Sequence, residues 1–451
     1  MRPELIARYA DERLPRYTSY PTAPQFSAMV GPGTYAEWLG DLDEAAVGSL
    51  YVHIPFCRRM CWYCGCNTNV ALRDEPVVAY ARMLRQEIAL VRACLGRNLS
   101  LAHLHFGGGT PTILDADEFL RLMEAIRCGF ALTADAEVAI EIDPRTLTRP
   151  LAKALGDAGI TRASLGVQSL DGKVQAAINR VQSLADTART VDGLRRAGVA
   201  AINIDLIYGL PSQTVASCLA TVGECLGLRP DRFSVFGYAH VPDFKKHQRK
   251  IDTRQLPDGS ARAAQAEAIA DRLEVAGYRR IGLDHFALAG DAMAVAADHG
   301  RLRRNFQGYT TDPADTLIGI GASAIGRLAR GYVQNEAVLR TYMAAIGEGR
   351  LATVKGLALT DEDRLRGALI ERLMCDFRVD IDAVCRSRGR TRDHVADVFP
   401  ALDRLALDGI IRLERGIIEV EPEARALVRA VAAAFDFYRA PSPTRRHSLA
   451  L

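Results

Sequence analysis

Cys57, Cys61, Cys64 and Cys66 fall within one short stretch, YVHIPFCRRMCWYCGCNTN (51–69), and the first three form the spacing Cys-x3-Cys-x2-Cys. Three thiolates spaced in this way can be delivered to one inorganic centre by a single turn. A ferredoxin-type cluster takes a fourth thiolate, so a triplet leaves one iron open to another ligand. Zinc is the alternative. Structural zinc sites take four ligands, commonly as paired Cys-x-x-Cys knuckles, and no second knuckle is present. Cys66 or His53 could still complete a tetrahedron, so zinc stays open on spacing alone. The remaining cysteines, Cys94, Cys128, Cys218, Cys225, Cys375 and Cys385, are scattered and read as small hydrophobes in helices. Ten cysteines so unevenly placed do not make a disulfide scaffold in a chain of 451 residues.

Two further patterns carry polar chemistry. The run HFGGGTPT (105–112) places Gly107, Gly108 and Gly109 ahead of Thr110. It lacks the Gly-Lys-Ser/Thr of a phosphate loop and the Gly-x-Gly-x-x-Gly of a dinucleotide fold. Successive glycines let backbone approach a ligand without Cβ interference. Glu141 in AIEIDP, Gln168 in SLGVQS and Asp205 in NIDLIYGLP sit inside apolar runs. A lone residue of this kind is ordinarily a hydrogen-bonded core group. Three of them near one barrel mouth favour a ligand pocket.

The elements that must position these residues form a repeat. Short β-rich runs at 49–56, 101–106, 136–143, 162–169, 201–210 and 232–239 alternate with longer helical segments. Strands separated by helices predict parallel βαβ units that close, or nearly close, into an α/β barrel of (βα)6 type, with its chemistry at the C-terminal strand ends. The cysteine triplet and the glycine run follow the first two strands. Residues 1–45 contain LPRYTSYPTAPQF, too rich in proline for a helix, and predict an extended arm. Residues 46–345 form the barrel domain with its extensions, and 346–451 a mostly helical, winged-helix-like domain with a hairpin at 410–421. The closing APSPTRRHSLAL reads as loose. With 57 Lys+Arg against 54 Asp+Glu the net charge is +3, which gives no general attraction to nucleic acid or anionic membrane. No run approaches the roughly 18 apolar residues of a membrane span, and no apolar leader is present. A cytoplasmic address is expected.

The triplet, with Tyr63 before its last cysteine, resembles the signature of the radical S-adenosylmethionine superfamily. That resemblance implies a 4Fe-4S cluster on Cys57, Cys61 and Cys64, an open iron chelated by S-adenosylmethionine, and a 5′-deoxyadenosyl radical that takes hydrogen from unactivated carbon. With HFGGGTPT, IEIDPR, GVQS, NIDLIYGLP, YAHVP, DHFA, RRNFQGYTT and PRYTSYPTA added, the chain is similar from Arg16 to Ile325 to the oxygen-independent coproporphyrinogen III oxidases. This implies oxidative decarboxylation of the ring A and B propionates of coproporphyrinogen III to vinyls, giving protoporphyrinogen IX in heme biosynthesis. Two S-adenosylmethionines are consumed, the chain works as a monomer, and the electron donor and acceptor are left unidentified. By position, the resemblance implies that Tyr51, Gly108, Glu141 and Ile325 contact the cluster-bound S-adenosylmethionine. Gly109, Thr110, Gln168, Arg180, Asp205 and Ala239 match a second such site, and Tyr51, His53, Cys66, Phe306 and Gln307 match positions needed for activity. Arg16, Arg303 and Arg304 are candidate partners for the substrate carboxylates.

Heme chaperones and heme-opening radical methyltransferases share the barrel, though the former typically lack Cys66 and the RYTSYP arm. A different class is suggested by CRSRGRTRDH, where Arg386, Arg388, Arg390 and Arg392 could grip nucleic-acid phosphates. The near-neutral total charge favours a solvated loop, so neither a nucleic-acid nor a membrane partner is expected.

Overall fold

The computed structural model describes residues 12–439 together with Leu5, Arg8, Tyr9, Ser448 and Leu449. The closing segment, apart from Ser448 and Leu449, lies outside the described residues. Residues 1–45 are not wholly extended, because α1 (Pro32–Gly40) forms within them. Pro32 pre-sets the first turn, and Tyr35, Trp38 and Leu39, at helical spacing, bury one face.

The repeat then runs β1 (Val47–Ile54), α2 (Glu75–Leu95), β2 (Leu99–Gly108), α3 (Ala116–Gly129), β3 (Phe130–Ile142), α4 (Arg149–Asp157), β4 (Arg162–Gln168), α5 (Gly172–Ala177), α6 (Leu184–Arg196), β5 (Ala201–Tyr208), α7 (Val215–Leu226) and β6 (Arg232–Gly237). Strands β1 to β6 are parallel and neighbour one another in sequence order. After α8 (Gly259–Val275), β7 (Arg279–Ile281) and β8 (His285–Ala287) extend the β6 edge antiparallel. A hairpin of β9 (Arg303–Asn305) and β10 (Gly308–Thr310) leads to β11 (Thr316–Ile320), which lies parallel to β1. Strands β12 (Ile325–Leu328), β13 (Gly331–Asn335) and β14 (Thr353–Ala358) continue antiparallel, which carries the sheet past residue 345. The 12-stranded sheet is open, with β7 and β14 as its edges.

Parallel sheets covered on both faces ordinarily read as continuous apolar runs. These strands alternate instead, and the structure shows why. Leu50, Val52, Phe106, Ile140 and Leu165 point outward into the helix layer, whereas Ser49, Glu141, Ser164, Asp205 and Ser234 line a cavity inside the barrel. The outer layer therefore supplies the hydrophobic stabilisation, about 1.5–3 kcal/mol for each large side chain fully buried.

A second core joins the two ends of the chain. Leu14, Tyr17 and Tyr20 pack with Leu365, Leu369 and Leu373 of α9 (Asp361–Asp376) and with Phe435. Strands β15 (Arg378–Asp380), β16 (Ile411–Glu414) and β17 (Ile417–Val420) form a small antiparallel sheet beside them. Arg415 and Gly416 close the β16–β17 hairpin at φ 51 and 81°, as a two-residue turn of this hand requires. Of the C-terminal arginine cluster, Arg392 pairs with Asp382 and Arg390 with Asp361.

Candidate active site

The cysteine loop leaves the C-terminal end of β1 and is bound back onto the barrel along its length. The Gly109 N–H donates to the Ile54 carbonyl at 2.9 Å and the Thr110 N–H to that of Phe56 at 2.8 Å, which ties the glycine turn to the start of the loop. Farther along, Asn179 Nδ2 donates to the Met60 carbonyl at 2.8 Å, Gln248 Nε2 to that of Tyr63 at 2.9 Å, and Lys245 Nζ to that of Cys66 at 2.9 Å. His247 meets the Cys64 carbonyl at 2.7 Å.

Each sulfur of the triplet faces hydrogen-bond donors. Thr110 Oγ1 donates to Cys57 Sγ at 3.3 Å, and the Thr68 hydroxyl lies at the same distance. Arg180 Nη1 reaches Cys61 Sγ at 3.5 Å and Arg145 Nη2 at 3.7 Å. The Cys66 N–H donates to Cys64 Sγ at 3.4 Å. Hydrogen bonds from Cys66, aided by the positive charges of Lys245 and Arg180, lower the Cys64 pKa, and that same pairing pushes the Cys66 thiol up. Burial pushes the Cys57 thiol up, against both threonine hydroxyls. Asp143 anchors the cationic pair: Arg145 donates to it at 2.6 and 2.9 Å and Arg180 at 3.3 Å. Burial works to raise the Asp143 pKa, but the two guanidiniums outweigh it and hold the carboxyl below its ordinary range.

Behind this loop, Tyr51 OH lies 3.0 Å from His53 Nδ1, and His53 Nε2 lies 2.9 Å from the Asn67 carbonyl. A carbonyl only accepts, which places the imidazole proton on Nε2 and makes Nδ1 the acceptor for the Tyr51 hydroxyl. Burial lowers the His53 pKa, so the ring is neutral. Glu141 accepts from the Gly108 N–H at 3.2 Å and lies 3.3 Å from His105 Nε2, whose ring stacks on Tyr51. One linked group thus contains Tyr51, His53, Gly108 and Glu141, drawn from β1, β2 and β3.

The glycine run is needed for packing as much as for open backbone. A Cβ on Gly107 would stand 2.6 Å from Glu141 Oε1, one on Gly108 2.8 Å from the His53 ring, and one on Gly109 2.6 Å from the Phe56 carbonyl oxygen.

Asp205 accepts from Ser164 Oγ at 2.9 Å and Asn203 Nδ2 at 2.7 Å, and burial raises its pKa. With Glu141 and Gln307 it lines a cavity of about 180 Å³ inside the barrel. Gln168 ends β4 at φ 69°, and its Oε1 is buried without a partner. A left-handed glutamine with an orphaned acceptor is the kind of strain retained where a ligand completes the bonding. The Ile325 carbonyl packs against Gly319, which pairs with Tyr51 across the sheet. Ala239 lies apart, lining a second cavity beyond β6. Phe306 stands edge-on to Tyr332 at 5.8 Å. Arg303 is paired with Glu371 at 3.0 Å and Asp315 at 2.9 Å, whereas Arg16 and Arg304 line the second cavity. Asp143, Arg145, Thr68, Lys245 and Gln248 were not foreseen from sequence. IEIDPR was the one visible signal among them.

The donor set fits an iron-sulfur cube. Three thiols on one loop, each met by donors that stabilise negative sulfur, suit a cluster that takes one thiolate on each of three irons.

Residues 51–224 match the Radical SAM superfamily. Proteins named oxygen-independent coproporphyrinogen III oxidase from Bradyrhizobium diazoefficiens, Pseudomonas aeruginosa and Salmonella typhimurium are 56%, 41% and 39% identical, over 98%, 96% and 94% of this chain and 98%, 95% and 93% of theirs. The solved structure of Escherichia coli coproporphyrinogen III oxidase, described as a radical SAM enzyme, superposes with a TM-score of 0.90 at 37% identity, covering 95% of this chain and 100% of that one. Likeness of this extent, in sequence and in fold, means that the chain belongs to the oxygen-independent coproporphyrinogen III oxidase family of the radical SAM superfamily.

Proposed function

We propose that this chain converts coproporphyrinogen III to protoporphyrinogen IX without oxygen, turning the ring A and B propionates into vinyls in heme biosynthesis. Each propionate loses CO2, one hydrogen atom and one electron. The carbon-carbon double bond forms where the carbon-hydrogen and carbon-carboxylate bonds break, and the electron leaves to an acceptor. Two rounds consume two S-adenosylmethionines. The observation that carries this reading is the thiol loop, with donors on all three sulfurs, tied through the glycine turn to Glu141, which lines the polar barrel interior. The names of relatives matching nearly full length supply the substrate.

A 4Fe-4S cluster with S-adenosylmethionine supplies hydrogen-atom abstraction from unactivated carbon. Cys57, Cys61 and Cys64 would hold the cluster, and Tyr51, Gly108, Glu141 and Ile325 the adjacent S-adenosylmethionine. Gly109, Thr110, Gln168, Arg180, Asp205 and Ala239 are assigned to a second. His53 fixes the Tyr51 hydroxyl through Nδ1, and His105 and the Gly108 N–H fix Glu141. Arg180 and Arg145 keep positive charge beside Cys61. The Cys66 N–H donates to the Cys64 sulfur while its thiol is assigned a separate part in turnover, and Gln307 at the rim of the cavity meets substrate. We place the enzyme in the cytoplasm as a monomer served by a separate electron donor and acceptor, with no part for nucleic acid or membrane.

The test is anaerobic incubation of the iron-reconstituted protein with S-adenosylmethionine, a reductant and coproporphyrinogen III. The expected products are protoporphyrinogen IX and 5′-deoxyadenosine in a ratio of one to two. Stoichiometric heme binding without turnover would point to a chaperone, and methyl transfer to heme to a methyltransferase.

A further inference from the structure

The second cavity, about 350 Å³, opens at the C-terminal end of β6 and shares the Phe236 wall with the barrel interior. Arginines from separate parts of the chain converge on it: Arg13 and Arg16 from the arm, Arg262 from α8, Arg280 from β7, Arg304 from β9 and Arg429 from the C-terminal domain. Only two carboxylates stand among these six arginines, and against burial His285 first, then Arg304 and Arg16, hold the Asp284 carboxyl below its ordinary range. Asp258 caps α8 through the Ala261 N–H, and Asp284 pairs with His285 at 2.7 Å.

Arginines buried for structural reasons in this protein are given carboxylates. Arg162 meets Glu137 at 3.1 Å, Arg232 meets Asp291 at 2.5 Å, and Arg303, next to Arg304 in sequence, meets Glu371 and Asp315. The cavity arginines are treated differently. Arg304 is 9% exposed, yet its Nε and Nη1 are buried without a hydrogen-bond partner; it lies over the Tyr309 ring and donates only to the Arg16 carbonyl, at 3.3 Å. Arg262 lies over the Tyr208 ring with its Nε unmet, and the Nε of Arg280 is likewise unmet. Arg16 reaches only the Gly237 carbonyl, at 3.5 Å. Among the described residues, none of these four forms an ion pair. Burial, together with the nearby Arg16 and Arg304 charges, pushes the Arg429 pKa down to about 10. A planar guanidinium with free N–H groups in an apolar setting is built to accept a carboxylate in paired hydrogen bonds.

We propose that this cavity seats the carboxylates of the tetrapyrrole substrate, with Arg16, Arg262 and Arg304 as its direct contacts. Arg429 is a positioning residue, holding the arm that carries Arg16 through the Leu14 and Pro15 carbonyls. The inference rests on the function proposed above and adds the residues that select a polycarboxylate.

The experiment compares reconstituted holoenzyme with its Arg262→Gln, Arg304→Gln, Arg262→Lys and Arg304→Lys variants. Each glutamine variant should keep its iron and raise KM for coproporphyrinogen III at least tenfold with a smaller effect on kcat, and lysine should restore part of the loss. In parallel, binding of coproporphyrin III, the stable tetracarboxylate, is followed by porphyrin fluorescence against its tetramethyl ester. Wild type should favour the acid, and the glutamine variants should lose that preference. If wild type binds the acid selectively but does not turn over, the function falls and the cavity assignment stands. If wild type turns over and both glutamine variants keep KM and selectivity, the cavity assignment falls. A rise in KM for S-adenosylmethionine alone would also overturn it. Should Arg304→Gln fail to retain iron, Arg16→Gln on the exposed arm decides the same question.

Discussion

Gly109→Ala tests whether the glycine turn controls the cysteine loop. The backbone at Gly109 is not in the left-handed region, so alanine meets no conformational penalty there, and the effect is one of contact alone. The added Cβ would lie 2.5 Å from Thr68 Oγ1 and 2.6 and 2.8 Å from the Phe56 carbonyl oxygen and carbon. Thr68 can rotate, at the expense of its contact with Cys57 Sγ at 3.3 Å. The Phe56 carbonyl cannot move freely, because it accepts the Thr110 N–H at 2.8 Å. Relief therefore breaks that link or displaces Thr110, the other hydroxyl on Cys57. Overpacking costs about 1–3 kcal/mol, and the lost hydrogen bond about 1 kcal/mol more, so a penalty of about 2–4 kcal/mol falls on the turn that presents Cys57. Gly223→Ala is the control, since it lies exposed within α7 with nothing within 4 Å of its Cβ. That variant should gain about 0.5–1 kcal/mol from helix propensity. Iron per chain after reconstitution, the rate of 5′-deoxyadenosine formation and the denaturant midpoint are the measurements. Gly109→Ala with wild-type iron, rate and midpoint would refute the reasoning.

Cys57→Ala, Cys61→Ala and Cys64→Ala should each lose the cluster and all activity, whereas Cys66→Ser, which keeps its N–H to Cys64, should retain iron and lose turnover; iron assay beside activity separates the two classes. Glu87 accepts from Tyr342, Asn335 and the Gly321 N–H at 2.6–2.7 Å, yet burial raises its pKa from 4.5 to about 7. The native state therefore holds this proton more tightly than the unfolded chain. Its contribution to stability is full below about pH 4.5, declines as pH rises through 7, and amounts to about 3 kcal/mol. Glu87→Gln should flatten that part of the stability-against-pH curve, and an unchanged slope would contradict the assignment. Asp291→Asn strips the carboxylate from Arg232 and leaves Arg162 with Glu137 alone, and should cost about 3–5 kcal/mol in denaturant unfolding.

What could be read from sequence divides along a physical line. Strands β1 to β6 were visible because period-two alternation is a local property, and the alternation of Ser49, Tyr51 and His53 with Leu50, Val52 and Ile54 records which face each residue takes. The cysteine spacing was visible for the same reason. Strand β11 was missed, since TLIGI is short and broken by glycine, and α1 was masked by the prolines before it. The hydroxyls and guanidiniums around the sulfurs were harder. Thr68 lies 11 residues from Cys57, Thr110 53, Arg145 84 from Cys61 and Arg180 119, and nothing in spacing marks such partners. Arg303 and Arg304 show the limit most sharply. They are adjacent and chemically identical, yet the strand turns one toward Glu371 and the other toward a cavity in which arginines outnumber carboxylates.

That divergence also explains why a net charge of +3 says little about the substrate. Within the barrel, Glu137 and Asp291 balance Arg162 and Arg232, forming a compensated plug that closes the interior without drawing anions. Around the cysteine loop, Asp143 compensates part of the charge of Arg145 and Arg180, leaving positive character directed at sulfur. Beyond β6 more cationic charge is left over, where Arg16, Arg262, Arg280 and Arg304 form no ion pair among the described residues. A tetraanion feels the local potential of a low-dielectric cavity far more than the screened sum over the surface. Because the compensated plug and the cationic cavity share the Phe236 wall, an anionic substrate is drawn to the cavity and not down the barrel, which keeps its carbon atoms at the mouth beside the cysteine loop.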